Sequence, residues 1–305
     1  MENYAVLGGG TMGCGVAQCL AAAGHTVAVF EPSAAAREAG PRRVRDGVRL
    51  ARMLRRTDAD PDEVLGRIRW TDRWDLLGSP GFVVECVPER LPLKEQVLRA
   101  ADERSAPGAV LASCTSAIPI DHLARWIRDP GRMIGTHFMN PAPLKDTVEV
   151  ACGPRTLPDT LRRTTELLGR LGKQAIVVGD GPGFVSNRVL MLTINEAAAV
   201  LAQGTADAAT VDAVFERCFG HRMGPLRTAD LIGLDTIVDT LAVLLEFTGD
   251  PRFRPTPLLA ELVSDGRLGE KTGHGFHVST RGFGVGHGGR GPTAAMPAVG
   301  GASRA

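Results

Sequence analysis

Lysine and tyrosine are scarce in this chain of 305 residues, and each shortage excludes a chemistry. Tyr4, the only tyrosine, lies in the first apolar run, so no Tyr-x-x-x-Lys pair is available to protonate a carbonyl. The four lysines are Lys94, Lys145, Lys173 and Lys271, and the long gap between the last two leaves the start of the C-terminal part without a lysine acid or base. Six cysteines include no C-x-x-C pair and no cluster with histidine, which argues against structural zinc, catalytic zinc and a disulfide framework. Charge of one sign is also lacking. Thirty-five basic side chains against 34 acidic ones leave a net charge of +1, with no global attraction to nucleic acid or an anionic membrane. No apolar run reaches the length of a membrane span and no basic leader opens the sequence, so a cytoplasmic protein is expected.

What is present is ordinary for a folded chain, with 44% hydrophobic and 23% charged residues and a length that predicts two domains. Short apolar, β-branched runs at Tyr4–Gly8, Thr26–Phe30, Phe82–Val87, Ala109–Ser113, Arg132–Phe138, Thr147–Cys152 and Gln174–Val178 alternate with helical segments such as Met12–Ala23, Leu93–Arg104 and Leu157–Leu171. That alternation predicts an α/β domain over residues 1–180, a Rossmann-type doubly wound sheet that is mostly parallel and covered on both faces. After Gly183 the strand-like runs stop. Val185–Gln203, Thr210–Phe219, Arg227–Phe247 and Leu258–Val263 read as helices, giving an all-helical domain at 181–280. Several of these helices are apolar on more than one face, which fits packing between two copies of the chain. Residues 281–305 are a Gly- and Ala-rich tail without an apolar period, expected to be disordered.

Between the first strand and the first helix stands Gly8-Gly9-Gly10-Thr11-Met12-Gly13, a G-x-G-x-x-G in the context that gives the spacing its mechanical meaning. Gly8 turns the chain, Gly10 lets the backbone approach a pyrophosphate and Gly13 lets helix and strand pack closely. The N–H groups of the helix start, at Thr11 and Met12, hold the negative charge. The second strand ends in Glu31, where a carboxylate accepts from ribose hydroxyls and repels a 2′-phosphate, so NAD is expected rather than NADP. Downstream, His137 ends a strand in Gly135-Thr-His-Phe-Met-Asn-Pro-Ala-Pro, and Glu149 follows in the next, with two prolines between them to turn the chain back. A carboxylate on one imidazole nitrogen fixes the tautomer while the other nitrogen takes a hydroxyl proton.

At this point the chain resembles the short-chain L-3-hydroxyacyl-CoA dehydrogenases, of the 3-hydroxybutyryl-CoA dehydrogenase type, from residue 1 to about residue 278. The segments that carry the resemblance, besides the glycine motif and the His137–Glu149 region, are Val84–Lys94, Ala112–Ser116, Gly181–Asn187, Met223–Pro225 with Asp230 and Gly233-Leu-Asp235, and Gly269–Phe276. The resemblance implies His137 as general acid and base, Glu149 as its partner, and Ser116 and Asn187 as hydrogen-bonding groups at the reacting oxygen. It also implies that Glu89 and Lys94 reach the nicotinamide half of the cofactor. For Glu89 and Lys94 a solvated ion pair on their helix is the competing reading. Where the family usually has Asn this chain has Cys114, and where it often has a second Ser it has Ala117, so thinner polar support around Ser116 is expected.

Seven arginines crowd Arg42–Arg56 against one acid, Asp46. Among them Arg52, Arg55 and Arg56 are candidates for meeting the substrate's carrier, either the phosphates of CoA or the acidic helix of an acyl carrier protein, with a solvated helix face as the third reading. Four functions therefore stay open: oxidation of a 3-hydroxyacyl-CoA, oxidation of a carrier-bound hydroxyacyl group such as glyceryl during polyketide extender-unit synthesis, a sugar-acid dehydrogenase of the same architecture, and a structural NAD-binding protein without turnover. A homodimer through the helical domain is expected in each case.

Overall fold

The computed structural model describes residues 3–279. The chain runs β1 (Tyr4–Leu7), α1 (Thr11–Ala22), β2 (Val27–Phe30), α2 (Ala34–Met53), α3 (Pro61–Gly66), β3 (Ile68–Thr71), β4 (Phe82–Glu85), α4 (Leu91–Arg104), β5 (Val110–Ser113), α5 (Ile120–Leu123), β6 (Met133–Phe138), β7 (Thr147–Cys152), α6 (Pro158–Arg170) and β8 (Gln174–Gly179). It continues through α7 (Ser186–Ala202), α8 (Ala208–Cys218), α9 (Pro225–Ile232), α10 (Leu234–Thr248) and α11 (Pro257–Ser264). The Gly- and Ala-rich stretch 281–305, expected to be disordered, lies outside the described residues.

The strands form one sheet in the order β3-β2-β1-β4-β5-β6-β7-β8. Because side chains alternate across a strand, β1 sends Tyr4 and Val6 to one face and Ala5 and Leu7 to the other. On the first face Val16 and Leu20 of α1, Val44 and Val48 of α2 and Leu167 of α6 close a core over Val6, Val29, Val84 and Ala112. On the second, Val97, Leu98 and Ala101 of α4 and Ile120 and Leu123 of α5 cover Leu7, Phe30, Val83 and Leu111. These strands are buried on both sides and read as continuous apolar runs for that reason. From β3 through β6 each neighbouring pair is parallel, and the direction reverses at β7, which pairs antiparallel with β6 and parallel with β8.

Two elements depart from the sequence expectation. Ile68–Thr71 is a strand, pairing with β2 at the sheet edge, although its four residues include Arg69 and alternate too briefly to signal one. The segment 227–247, expected as one helix, is two: Gly233 at φ +104° breaks it, and a Cβ there would strike the Lys271 side chain.

The helices from α7 onward build a separate core from Ile194, Ile237, Leu241, Leu244, Phe253 and Leu259, which Ala117 of the sheet domain also enters. Asp180 stands at the junction, where its carboxylate accepts the N–H groups of Ile120 and Asp121 at 2.8 Å each. It thereby caps the start of α5, just beyond Ser116, from the segment that leads into α7. Replacing that cap leaves two donors without their partner. Asp180→Ala is expected to lower unfolding stability by about 1–2 kcal/mol, measured by urea denaturation.

Candidate active site

The reversal at β7 makes the central pair. In the antiparallel register His137 stands directly opposite Glu149, and His137 Nδ1 lies 2.9 Å from Glu149 Oε2. Since a carboxylate only accepts, Nδ1 carries the proton and Nε2 keeps its lone pair. The same carboxylate holds the start of α7: Oε1 accepts the N–H groups of Val185 at 2.9 Å and Ser186 at 3.1 Å, and Oε2 accepts the Ser186 hydroxyl at 2.5 Å. Burial alone would raise the Glu149 pKa, but the hydrogen bonds from His137 and Ser186, with those of the two N–H groups, bring it down to about 2. Glu149 is therefore an anion at neutral pH.

Ser116 belongs to a second network beyond the carboxyl end of β5. Its N–H donates to Glu89 Oε1 at 2.7 Å and its hydroxyl lies 3.3 Å from the same oxygen. Thr115 donates its hydroxyl to that oxygen at 2.5 Å. Lys94 holds Glu89 at 2.9 Å and is itself gripped by both oxygens of Glu85, at 2.9 and 2.8 Å. Lys94 is 1% exposed and Glu85 fully buried, so the solvated-pair reading is overturned: burial of the ammonium holds only because two carboxylates neutralise it. Burial lowers the Lys94 pKa, the two carboxylates outweigh it, and the net shift is upward. Lys94 is thus spent on Glu85 and Glu89, and it supports the Ser116 loop from behind. Polar support around Ser116 is accordingly dense rather than thin.

The two networks meet at consecutive residues. Ser186 binds Glu149, and Asn187, next in the chain, donates from Nδ2 to the Ser116 carbonyl at 2.9 Å. Just before them Gly183 at φ +70° and Phe184 at φ +50° turn the backbone into α7. Three contributors escaped the sequence reading: Glu85, Thr115 and Ser186. All lie inside segments that carried the resemblance, yet nothing in their spacing marks them as partners of Lys94, Glu89 and Glu149.

At the same carboxyl edge of the sheet, beyond β1, Gly10 caps α1 without a side-chain hydrogen bond and the first turn, from Thr11 and Met12, has no acidic residue. A Cβ on Gly10 would meet no atom within 4 Å, whereas one on Gly13 would lie 1.8 Å from the Gly8 carbonyl oxygen. Helix and strand are as close as glycine permits, and the N–H groups of the first turn face open space, a fit for a pyrophosphate. Glu31 accepts from Gly9 N–H at 2.7 Å and Ser33 N–H at 2.9 Å. Each of its oxygens keeps a lone pair for a ribose hydroxyl.

The arginines of α2 are less isolated than their sequence suggested, because acids arrive from elsewhere in the fold. Arg45 pairs with Asp62 at 2.8 Å, Arg52 approaches Asp60 at 4.0 Å and Arg56 binds Asp146. Arg55 lies past the end of α2 at φ +55°, and the apolar side chains of Leu50, Met53 and Leu54 in this stretch are exposed. Among the described residues no group of His, Cys, Asp and Glu could hold a metal ion, and no helix is long and apolar enough to cross a membrane.

With this geometry in view, the comparisons with known proteins are decisive. Residues 3–181 match the family model of the 3-hydroxyacyl-CoA dehydrogenase NAD-binding domain, and residues 183–279 match that of the C-terminal domain. The chain belongs to the 3-hydroxyacyl-CoA dehydrogenase family. The family's NAD-binding domain thus coincides with the sheet that carries the glycine turn and Glu31, and the chain is an NAD-dependent oxidoreductase. A probable 3-hydroxybutyryl-CoA dehydrogenase of Bacillus subtilis is 39% identical over 91% of this chain and 97% of the relative. A 3-hydroxybutyryl-CoA dehydrogenase of Bradyrhizobium diazoefficiens is 36% identical over 91% and 95%. Among solved structures, the (S)-3-hydroxybutyryl-CoA dehydrogenase of Ralstonia eutropha superimposes with a TM-score of 0.84 at 37% identity, covering 92% of this chain and all of its own.

Glu149 supplies a pH signature. Its pKa in the folded chain, about 2, lies below its ordinary value of 4.5, so its contribution to stability is complete above pH 4.5 and lost as pH falls toward 2. Urea unfolding followed from pH 6 to pH 2 is expected to show a smaller acid loss for Glu149→Gln than for the native chain, with lower stability for the variant at pH 6.

Proposed function

We propose that this protein interconverts 3-hydroxyacyl-CoA and 3-oxoacyl-CoA thioesters, with His137 as general acid and base. The observation that carries the proposal is the His137–Glu149 register pair tied through Ser186 and Asn187 to Ser116. In the oxidative direction His137 Nε2 takes the proton of the substrate's 3-hydroxyl group. Glu149, held ionised, stabilises the imidazolium and keeps the ring oriented. NAD, when bound against the glycine turn with its adenosine ribose at Glu31, supplies the acceptor for the hydride from C3. Ser116, placed by Glu89, and Asn187, bound to the Ser116 carbonyl, are the hydrogen-bonding groups for the reacting oxygen in this reading. In reduction the same groups act in reverse, His137 returning the proton.

In this reading residues 1–180 carry the cofactor, residues 181–280 close over the thioester, and the chain works as a cytoplasmic homodimer. Exposed Val185 just before α7, Val189 on α7 and Leu231 on α9 supply apolar surface for the partner copy, and the six free thiols suit a reducing compartment. NADH consumption with acetoacetyl-CoA tests the activity. His137→Ala is expected to lower kcat about 10²–10⁴-fold while NADH affinity, read by fluorescence titration, stays unchanged. Full turnover by this variant would remove His137 from the chemistry, and silence of the native chain on acetoacetyl-CoA would remove the substrate.

A second reading has its own observation. Arg49, Arg52 and Arg55 alternate in sequence with exposed Leu50, Met53 and Leu54 at the end of α2, and this mixture of cations and apolar side chains complements an acidic amphipathic helix better than it does bare phosphates. It favours a carrier-protein thioester, such as a glyceryl group in polyketide extender-unit synthesis. Reversing Arg52, Arg55 and Arg56 to Glu is expected to raise KM at least about tenfold for a carrier-bound hydroxyacyl substrate and leave NADH affinity as it was. An unchanged KM for carrier and CoA substrates alike would return the arginines to solvent.

A further inference from the structure

Two thiols face each other at the centre of the cofactor-binding edge, and the mechanism uses neither. Cys86 follows the last residue of β4 and Cys114 follows the last residue of β5. The parallel register pairs Glu85 with Ser113, so these two cysteines are the next rung, and their N–H groups continue the ladder by bonding Leu7 and Glu85 carbonyls. Both side chains lie on the α1 face of the sheet with Val84 and Ala112. The Cys86 thiol donates to Cys114 Sγ at 3.4 Å. Both residues remain partly exposed, at the carboxyl edge of the strands where a doubly wound sheet receives its ligand.

We propose that Cys86 and Cys114 form a reversible oxidation site that governs access of the dinucleotide to its cleft. Adjacent strands lie about 4.8 Å apart, within the Cα separations of about 4.4–6.8 Å that a disulfide spans, so closure to an S–S bond of about 2.05 Å needs side-chain rotation rather than strand movement. The oxidant is a peroxide. The Cys114 sulfur attacks one peroxide oxygen, breaking the O–O bond and leaving Cys114 as a sulfenic acid with release of water. The Cys86 sulfur then attacks the Cys114 sulfur, its proton departs with the sulfenic oxygen as a second water, and the S–S bond forms. Two thiols have lost two electrons to the peroxide, and a dithiol reductant reverses the change. The Cys86 thiol points its proton at Cys114 Sγ, which assigns Cys86 the resolving role and Cys114 the first attack; that hydrogen bond and burial push the Cys86 thiol up.

The position gives the bond its consequence. The Cys86 carbonyl lies against Gly8, where a Cβ would come within 2.8 Å of it, and Cys114 directly precedes Thr115 and Ser116, whose contacts run to Glu89. A disulfide would tie the glycine turn's neighbour to the Ser116 loop, at the strand ends where a doubly wound sheet receives its dinucleotide.

The test uses the full chain, hydrogen peroxide as oxidant and intact-mass and peptide mass spectrometry as the first readout. The expected result is a loss of two hydrogens per chain on a monomeric species, a cross-linked peptide joining Cys86 to Cys114, and NADH affinity weakened about tenfold or more, corresponding to about 1.4 kcal/mol. Dithiothreitol restores it, and NADH present during oxidation slows the cross-link. Cys114→Ser and Cys86→Ser each abolish the two-hydrogen loss, and exposed Cys218 serves as an internal control for non-selective oxidation. Oxidation that reaches Cys218 while Cys86 and Cys114 stay reduced overturns the site. A Cys86–Cys114 cross-link that leaves NADH affinity unchanged overturns its control of the cleft.

Discussion

One carboxylate joins the two halves of this molecule. Glu149 leaves β7 on the sheet side, takes the first N–H groups of α7 with one oxygen, and takes His137 and the Ser186 hydroxyl with the other. An unpaired carboxylate at that depth would be costly, and four donors make it the stable form. The consequence runs outward in both directions. The imidazole is oriented because Glu149 is ionised, and α7 starts where it does because Glu149 substitutes for a capping side chain that Val185 cannot provide. Asn187 then falls one residue further on, within reach of the Ser116 carbonyl.

The buried ion network behind Ser116 works by the same logic with the sign reversed. Lys94 is an ammonium inside the protein, tolerated because Glu85 and Glu89 grip it from two sides. Glu85 is further satisfied by the Ser113 hydroxyl and Val87 N–H, at 2.6 and 2.7 Å. With its charge so balanced, Glu89 keeps lone pairs for Thr115 and Ser116. A shell of this kind holds the Ser116 loop in one position. The Cys86–Cys114 pair lies between this network and the glycine turn, so any change in its covalent state acts on both.

Much of this was legible in the chain before any coordinates. The strand and helix alternation, the change to helices after Gly183, the glycine turn with Glu31, and the candidacy of His137, Glu149, Ser116 and Asn187 follow from local pattern and from the family resemblance. The edge strand at Ile68–Thr71 was illegible because four residues with a central arginine carry no period. The break at Gly233 was hidden by apolar residues that continue on either side of it. Arg52 and Arg56 looked unpaired because Asp60 and Asp146, which approach them, arrive from another helix start and from the loop before β7.

The sequence by itself determined which residues could form strands and helices, which turn could hold a pyrophosphate, and which side chains could move a proton, because those properties depend on neighbours within a few positions. Tertiary structure alone decided the antiparallel register that sets Glu149 directly opposite His137, the burial of Lys94 between two carboxylates, and the meeting of Cys86 with Cys114, 28 residues apart. Each is a matter of register or of close approach between distant segments. Register is chosen by the packing of whole strands, since a slip of one residue would turn every side chain to the wrong face.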